Sequence, residues 1–238
     1  MLYLIGLGLN SSGISIQGVE AAKRCKKIYL ESYTVDFPYT EGGLQELFEK
    51  KIIKADREKV ENMSLIDEAI KQDVALLVYG SPLTATTHIS LIQEAKASGV
   101  KYKIIYAASI LDAVAETGLQ LYKFGKITSM PSWKKSYEPT SFMEVVKDNA
   151  KIEAHTLILI DIGLELNKAL EQLEISSKKK GAEIGKVVLC SQLGTNKSRI
   201  YYESIDNLKK REIEKPYCLI IPGKMHFLES DFLENLRR

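Results

Sequence analysis

Cysteine is scarce and scattered in this sequence. Cys25, Cys190 and Cys218 are the only three in 238 residues, and no two have metal-ligand spacing. Three distant thiols exclude a disulfide framework. Cys190 and Cys218 lie inside apolar runs, where they are expected to pack as small hydrophobes. Long hydrophobic runs are missing as well, since none approaches the roughly 20 residues of a membrane-spanning helix. The first residues, Met1-Leu2-Tyr3-Leu4-Ile5-Gly6, carry no basic region and no long apolar core, which argues against a signal peptide. Together these absences predict a reduced, cytoplasmic protein with no membrane partner. Neither sign of charge dominates: Lys and Arg number 33 against 31 Asp and Glu, a net charge of +2. A nucleic-acid partner usually demands a larger basic excess or a basic stripe, so none is expected. The basic run Lys178-Lys179-Lys180 reads as a solvated loop after a helix. A Walker motif, an H-E-x-x-H helix and a G-x-S-x-G elbow are all absent, which weakens the commonest hydrolase and nucleotidase readings. No grouping suggests a metal site, and no two carboxylates are spaced for general acid–base work.

What is present is a folding pattern. The apolar fraction is 45%, enough for a packed core and too high for a disordered chain. Residues 2–7 form a continuous apolar run, the mark of a strand buried on both faces. Strands are also expected over residues 28–33, 74–79 and 102–106. Helices are expected over 15–25, with Ile16, Val19, Ala22 and Cys25 on one stripe, around Leu44, Leu47 and Phe48, and over 87–98. Ser64-x-x-Asp67 looks like a capping box opening a helix through Ile70. This alternation predicts an α/β fold with a mainly parallel sheet, whose ligands bind beyond the carboxyl ends of the strands. The loops after Leu7, Tyr79 and Tyr106 are the first places to look.

The pattern changes near residue 110, which divides the chain into residues 1–110 and 111–238. The second part reads as a helix over 109–121, an extended 125–130, and a helix opened by a second capping-box candidate, Ser141-x-x-Glu144. Strands follow over 155–160, 187–191, 199–203 and 217–221, with helices over 167–177 and 227–236. Their irregular spacing predicts a mixed sheet.

Three motifs carry the chemistry. Gly6-Leu7-Gly8 follows a strand, as a nucleotide-binding turn would, but the third fingerprint glycine is replaced by Ser11. A tight turn in a sheet protein explains the pair equally well. Otherwise the glycines let a ligand approach the backbone closely. Gly80-Ser81-Pro82-Leu83-Thr84-Ala85-Thr86-Thr87-His88 runs from a strand into a helix start, offering N–H groups and hydroxyls suited to a carboxylate or a ribose. A plain helix cap is the alternative. Pro222-Gly223-Lys224-Met225-His226 places Lys224 and His226 at the tip of a turn, where a histidine either catalyses or serves as a structural hydrogen-bonder. His155 reads as structural, and Asp161 ends a strand where it could face a cleft. The stretch from Tyr122 to Lys126 and on to Pro131-Ser132-Trp133 suits a partner surface, a dimer contact or simple packing.

The order of these pieces, with Ser109-Ile110 and Pro139-Thr140-Ser141 between them, resembles the diphthine synthase family, within the tetrapyrrole-methylase-like class of methyltransferases. The resemblance spans essentially the whole chain. It implies two α/β domains, a homodimer, and S-adenosylmethionine folded in a cofactor cleft between the domains, leaving as S-adenosylhomocysteine. It further implies methylation of the amino group of a 3-amino-3-carboxypropyl arm on a histidine of translation elongation factor two. The product is diphthine, an intermediate of diphthamide biosynthesis. Carried over, the cofactor contacts fall on Leu9, Ser81, Thr84, Ser109, Ile110, Ile160, Leu193 and His226. Ser81, Thr84 and Ser109 would hydrogen-bond the cofactor, Ile110, Ile160 and Leu193 would line it, and His226 would hold its polar groups. The family usually has Asp where this chain has Ser81, and an apolar residue where it has Thr84. A hydroxyl replaces a charge-assisted bond with a neutral one, roughly half as strong. A methyl sulfonium is already activated, so alignment can do most of the work, and the lack of a catalytic triad or metal site is consistent with that. Two rivals remain open at this point: a methylase of a small tetrapyrrole precursor, and a non-catalytic relative that keeps the fold.

Overall fold

Continuous apolar runs become strands with no exposed face. The computed structural model describes residues 1–236, and the chain divides into two units, Met1–Ala113 and Val114–Arg238. The first unit runs β1 (Leu2–Gly6), α1 (Ile16–Arg24), β2 (Lys27–Glu31), α2 (Gly42–Phe48), β3 (Ile52–Ala55), α3 (Arg57–Glu61), α4 (Ser64–Lys71), β4 (Val74–Val78), α5 (Ile89–Ala97), β5 (Tyr102–Ile105) and α6 (Ile110–Ala113). Its sheet has the order β3-β2-β4-β1-β5, with every pair parallel. Side chains alternate across it, as the pleat requires. Leu2, Leu4, Leu76 and Val78 pack with α4 and α5 on one face. Tyr3, Ile5, Ala75 and Leu77 pack with α1 and α2 on the other.

Several sequence expectations change here. Ser15 caps α1 through the Gly18 N–H, but Ile16 is 81% exposed and the helix buries Gly18, Ala21 and Ala22 instead. Ser64-x-x-Asp67 is not a capping box: Met63, at φ 61°, holds the cap position, and the Ser64 hydroxyl donates to the Lys59 carbonyl at 3.2 Å. Strand β3 and helix α3 went unread because charged residues dilute the apolar pattern between Lys50 and Glu61. The helix expected over 109–121 ends at Ala113, and a short 3-10 turn, Val114–Thr117, leads to Gly118 at φ 76°.

The second unit holds β6 (Thr128–Met130), α7 (Ser141–Lys151), β7 (Thr156–Ile160), α8 (Leu166–Lys180), β8 (Val187–Ser191), β9 (Arg199–Glu203), α9 (Ile205–Leu208), β10 (Tyr217–Ile221) and α10 (Phe227–Asn235). The sheet is mixed, in the order β6-β7-β10-β8-β9, and only β6 and β7 pair in parallel. The basic run is the last turn of α8 and not a loop, where positive charge complements the helix dipole. Gly181, at φ 60°, stops the helix. Lys180 pairs with Glu144 at 2.7 Å, so Glu144 closes no capping box at α7, whose cap position, Thr140, makes no side-chain bond. Cys190 and Cys218 are register partners on β8 and β10, both buried, and the Cys190 thiol is pushed well up by its bond to Cys218 and by burial. Among the described residues, no helix is long and apolar enough to cross a membrane.

A backbone oxygen cannot step aside for a side chain. A Cβ on Gly6 would meet the Gly80 carbonyl oxygen at 2.6 Å, whereas one on Gly42 meets nothing within 4 Å. Gly6→Ala is expected to cost about 1–3 kcal/mol or more. Gly42→Ala should be neutral or stabilise by up to about 1 kcal/mol. Urea unfolding of the two variants checks the contrast.

Candidate functional site

Because the first sheet is parallel, β4, β1 and β5 all end on one edge, and they are adjacent there. The loops that follow them carry Leu9, Ser81, Thr84, Ser109 and Ile110, so the fold brings these five candidates to one place. The loops are fastened to one another. Gly8 N–H donates to the Gly80 carbonyl at 3.1 Å and Gly80 N–H donates to the Gly8 carbonyl at 3.0 Å. Both glycines sit at φ 69°, where a side chain would be strained. The Tyr79 hydroxyl donates to the Leu9 carbonyl at 3.1 Å. A Cβ on Gly80 would lie 3.7 Å from Ser109 Cα. A Cβ at Gly6 or Gly8 would strike the Gly80 or the Gly13 carbonyl oxygen, so these glycines let the loops lie on each other.

The 81–88 segment is a tight, partly strained turn. Thr84 N–H donates to the Ser81 carbonyl at 3.0 Å, and Ala85 is held at φ 56°. Ser81 is 8% exposed. The hydroxyls of Ser81 and Thr84 are not taken up by the hydrogen bonds that hold this turn, which leaves them available to a ligand. Ser109 differs. Its hydroxyl and its N–H both donate to Asp112 Oδ2, at 2.9 and 2.7 Å, so it caps α6 and has no spare hydrogen to give a cofactor. Ile110 opens that helix and is half-buried. Beside the first loop, Phe37 stands edge-on to Tyr39 and Tyr79 with ring centroids 5.6 and 5.5 Å away. Burial pushes both tyrosine hydroxyls far above their ordinary range, keeping them neutral. The 32–41 segment was missed in the sequence. Its Tyr and Phe spacing has neither helical nor strand period, and only the aromatic density signalled it.

Strand direction decides the second unit. Strands β7 and β8 both run antiparallel to β10, so Ile160 and Leu193 share one edge of that sheet. Gln192, at φ 50°, sets the turn before Leu193, with its N–H on the Pro216 carbonyl at 2.9 Å and its Nε2 on the Lys215 carbonyl at 2.7 Å. His226 does not join them. Ile221 pairs with Thr156, which puts everything after β10 at the far edge, roughly 15 Å away at 3.3 Å per residue. The residue of β10 that does lie beside Ile160 and Leu193 is Tyr217, the register partner of Ser191.

His226 instead caps α10, its Nδ1 accepting from the Leu228 N–H at 3.4 Å. Its own N–H donates to Glu229 Oε2 at 2.6 Å. Glu229 is the centre of this edge and is 1% exposed. It also accepts from the Gln120 N–H at 2.8 Å, Lys123 Nζ at 2.5 Å and His155 Nε2 at 3.1 Å. His155 Nδ1 accepts from the Gly223 N–H at 2.9 Å, so the ring hydrogen sits on Nε2. Burial lowers the His155 pKa against the pull of Glu229, and the ring is neutral. Burial alone would raise the Glu229 pKa, but its donors outweigh it and hold the carboxyl at about 2. Lys224 Nζ pairs with Glu153, and Asp161 accepts from the Ser132 N–H at 3.0 Å within an exposed turn. Trp133 Nε1 donates to the Pro139 carbonyl at 3.0 Å, so packing accounts for it, while Tyr122 is 82% exposed. Among the described residues, no group of His, Cys, Asp and Glu could hold a metal ion.

Comparison with known proteins places this geometry. Residues 1–209 match the family model for tetrapyrrole (corrin/porphyrin) methylases. A diphthine synthase of Methanococcus maripaludis is 39% identical over 99% of this chain and 98% of its own length. An Arabidopsis thaliana protein named as a probable diphthine methyl ester synthase is 37% identical over 98% of this chain and 97% of its own length. The crystal structure of an Entamoeba histolytica protein assigned as a diphthine synthase is 32% identical, covers 99% of this chain and 98% of that one, and superposes with a TM-score of 0.91.

The Glu229 carboxylate gives a pH test. Its native pKa of about 2 lies below the ordinary 4.5, so its stabilisation is fully present above the unfolded value and is lost as pH falls through that window. Glu229→Gln is expected to cost roughly 3–5 kcal/mol at pH 7. The gap to wild type should narrow between pH 4 and pH 2. Urea unfolding over this range reads both effects.

Proposed function

The chain belongs to the tetrapyrrole (corrin/porphyrin) methylases and, within them, to the diphthine synthases, and from that premise we propose that it makes diphthine. The acceptor is the amino group of the 3-amino-3-carboxypropyl arm on a histidine of translation elongation factor two. The methyl donor is S-adenosylmethionine. The enzyme works in the cytoplasm as a homodimer. The observation that carries the reading is the convergence of Leu9, Ser81, Thr84, Ser109 and Ile110 at one edge of a parallel sheet, with the Ser81 and Thr84 hydroxyls left over by the turn's own hydrogen bonds.

These residues suit the cofactor. Its carboxylate and ribose need donors and acceptors, which the hydroxyls of Ser81 and Thr84 and the backbone of the fastened loops offer. Its adenine needs apolar walls, which Leu9 and Ile110 supply. His226 caps α10 through Nδ1 alone and keeps Nε2 for the cofactor's polar groups, so it stays in the proposed set. Bound S-adenosylmethionine supplies a methyl sulfonium, an electrophilic carbon with a neutral leaving group. The chain's own residues bind, align and exclude water, and alignment alone can lower a barrier by roughly 7–11 kcal/mol. Relatives that match over the full chain favour a protein-borne arm over a free tetrapyrrole precursor.

Incubation with S-adenosylmethionine and elongation factor two bearing the arm should add methyl mass to the modified histidine, read by mass spectrometry. No added mass on that residue, with the cofactor intact, contradicts the proposal. Calorimetry with S-adenosylhomocysteine separates binding from transfer. Ser81→Ala should weaken binding about fivefold, the loss of one neutral hydrogen bond. Ser81→Asp should tighten it by restoring a charge-assisted one.

A further inference from the structure

Glu31 and His88 form a second buried histidine–glutamate pair, in the first unit, with side chains 0% and 1% exposed. Glu31 ends β2, and His88 closes the turn that leads into α5. Neighbouring groups fix where the hydrogens sit. The Pro82 carbonyl can only accept, and it lies 3.0 Å from His88 Nδ1, so Nδ1 carries a hydrogen. Glu31 Oε1 lies 3.5 Å from His88 Nε2. Glu31 Oε2 accepts from the Thr34 hydroxyl at 2.7 Å, as either form of the carboxyl can. A neutral ring with its hydrogen on Nδ1 would aim a bare Nε2 lone pair at a carboxylate oxygen. Neither of those two atoms has a hydrogen-bond partner. The opposite neutral tautomer would aim a lone pair at the Pro82 carbonyl. One more hydrogen between Oε1 and Nε2 satisfies both sides, carried either by the ring, as an imidazolium beside a carboxylate, or by Glu31, as an acid donating to a neutral ring.

Other groups facing the pair do not offer an alternative. The Tyr33 hydroxyl is pushed up to about 12 by burial and then by the charge of Glu31, so it is neutral. Arg57 lies 5.2 Å over the Tyr33 ring and pairs with Glu61. Among the described residues, no Lys or Arg pairs with Glu31. A charged Glu31 therefore has His88 as its counter-charge. The pair in the second unit is built the other way: Gly223 N–H donates to His155, and Lys123 neutralises Glu229.

We propose that Glu31 and His88 are a positioning pair, a buried carboxylate and a doubly protonated imidazole, which ties the end of β2 to the 81–88 turn. Pro82 is the joint, since its carbonyl also accepts the Thr86 hydroxyl at 2.8 Å and so uses both lone pairs. The turn holds Ala85 in a left-handed conformation and presents the Ser81 and Thr84 hydroxyls. Only the functional consequence rests on reading that turn as the cofactor loop.

The test uses the intact protein with nitrogen-15-labelled histidine. Long-range proton–nitrogen spectra at neutral pH should show one ring with both nitrogens protonated, lost in His88→Gln, and one neutral ring with hydrogen on Nε2, lost in His155→Gln. Amide exchange at Thr84 should quicken about tenfold in Glu31→Gln, since the buried charged contact to His88 is lost. Thr34→Val deletes only the hydroxyl and should quicken it about threefold; it remains informative if Glu31→Gln does not fold. Affinity for S-adenosylhomocysteine should fall in step with exchange. A singly protonated His88 overturns the proposal, and so does unchanged Thr84 exchange in the folded variants. Failure of the wild type to bind S-adenosylhomocysteine would sink the cofactor reading alone, because the spectrum and the exchange rates still decide the pair.

Discussion

Two backbone hydrogen bonds between Gly8 and Gly80 set the geometry of the candidate site. They close only because both residues adopt φ 69° and neither carries a side chain. Strands β1 and β4 are adjacent and parallel, so their loops emerge side by side, and the reciprocal bonds turn that nearness into a fixed spacing. Tyr79 then anchors Leu9, and Gly80 lies against the start of the Ser109 loop. Remove the bridge and the apolar strands still form, but the three loops lose their common reference. Sheet packing supplies stability, and the glycine pair converts it into position.

In the second unit the organising element is a charge. Glu229 gathers donors from the 120–123 turn, His155 and the start of α10, and so decides where the chain after β10 can go. A lone buried carboxylate would be costly, but one with several donors and a lysine is stable and directional. The buried pair at Glu31 and His88 reaches electrical balance differently, because a carbonyl rather than an N–H meets its imidazole nitrogen. The same two residue types thus take opposite hydrogen placements, dictated by one backbone atom each. Both pairs pin a loop at a strand end, where function is usually carried and where backbone strain is tolerated.

Much of the fold was legible in sequence because the central strands are apolar without interruption. Residues 74–78 and 187–191 could be read from composition alone. Helix ends were less legible. Ser64 and Ser141 have capping-box spacing, yet neither caps, since Met63 turns left-handed and Glu144 is drawn to Lys180. Strand β3 was hidden by Lys54 within it and by Lys50 and Lys51 just before it. For the site, the loops after β1, β4 and β5 followed directly from parallel topology. That residues 222–226 lie at the opposite sheet edge from Ile160 and Leu193 was not legible, because strand direction in a mixed sheet depends on pairing, and pairing is a long-range property that local pattern does not encode. The Phe37, Tyr39 and Tyr79 cluster was invisible for the same reason: its members meet only across the fold.

The central claim is that the edge of β4, β1 and β5 receives the cofactor. It is tested most directly by following backbone amide and methyl resonances while S-adenosylhomocysteine is added. The claim predicts shifts at Leu9, Ser81, Thr84 and Ile110. Shifts centred on residues 222–226, with the 81–84 turn undisturbed, would contradict it.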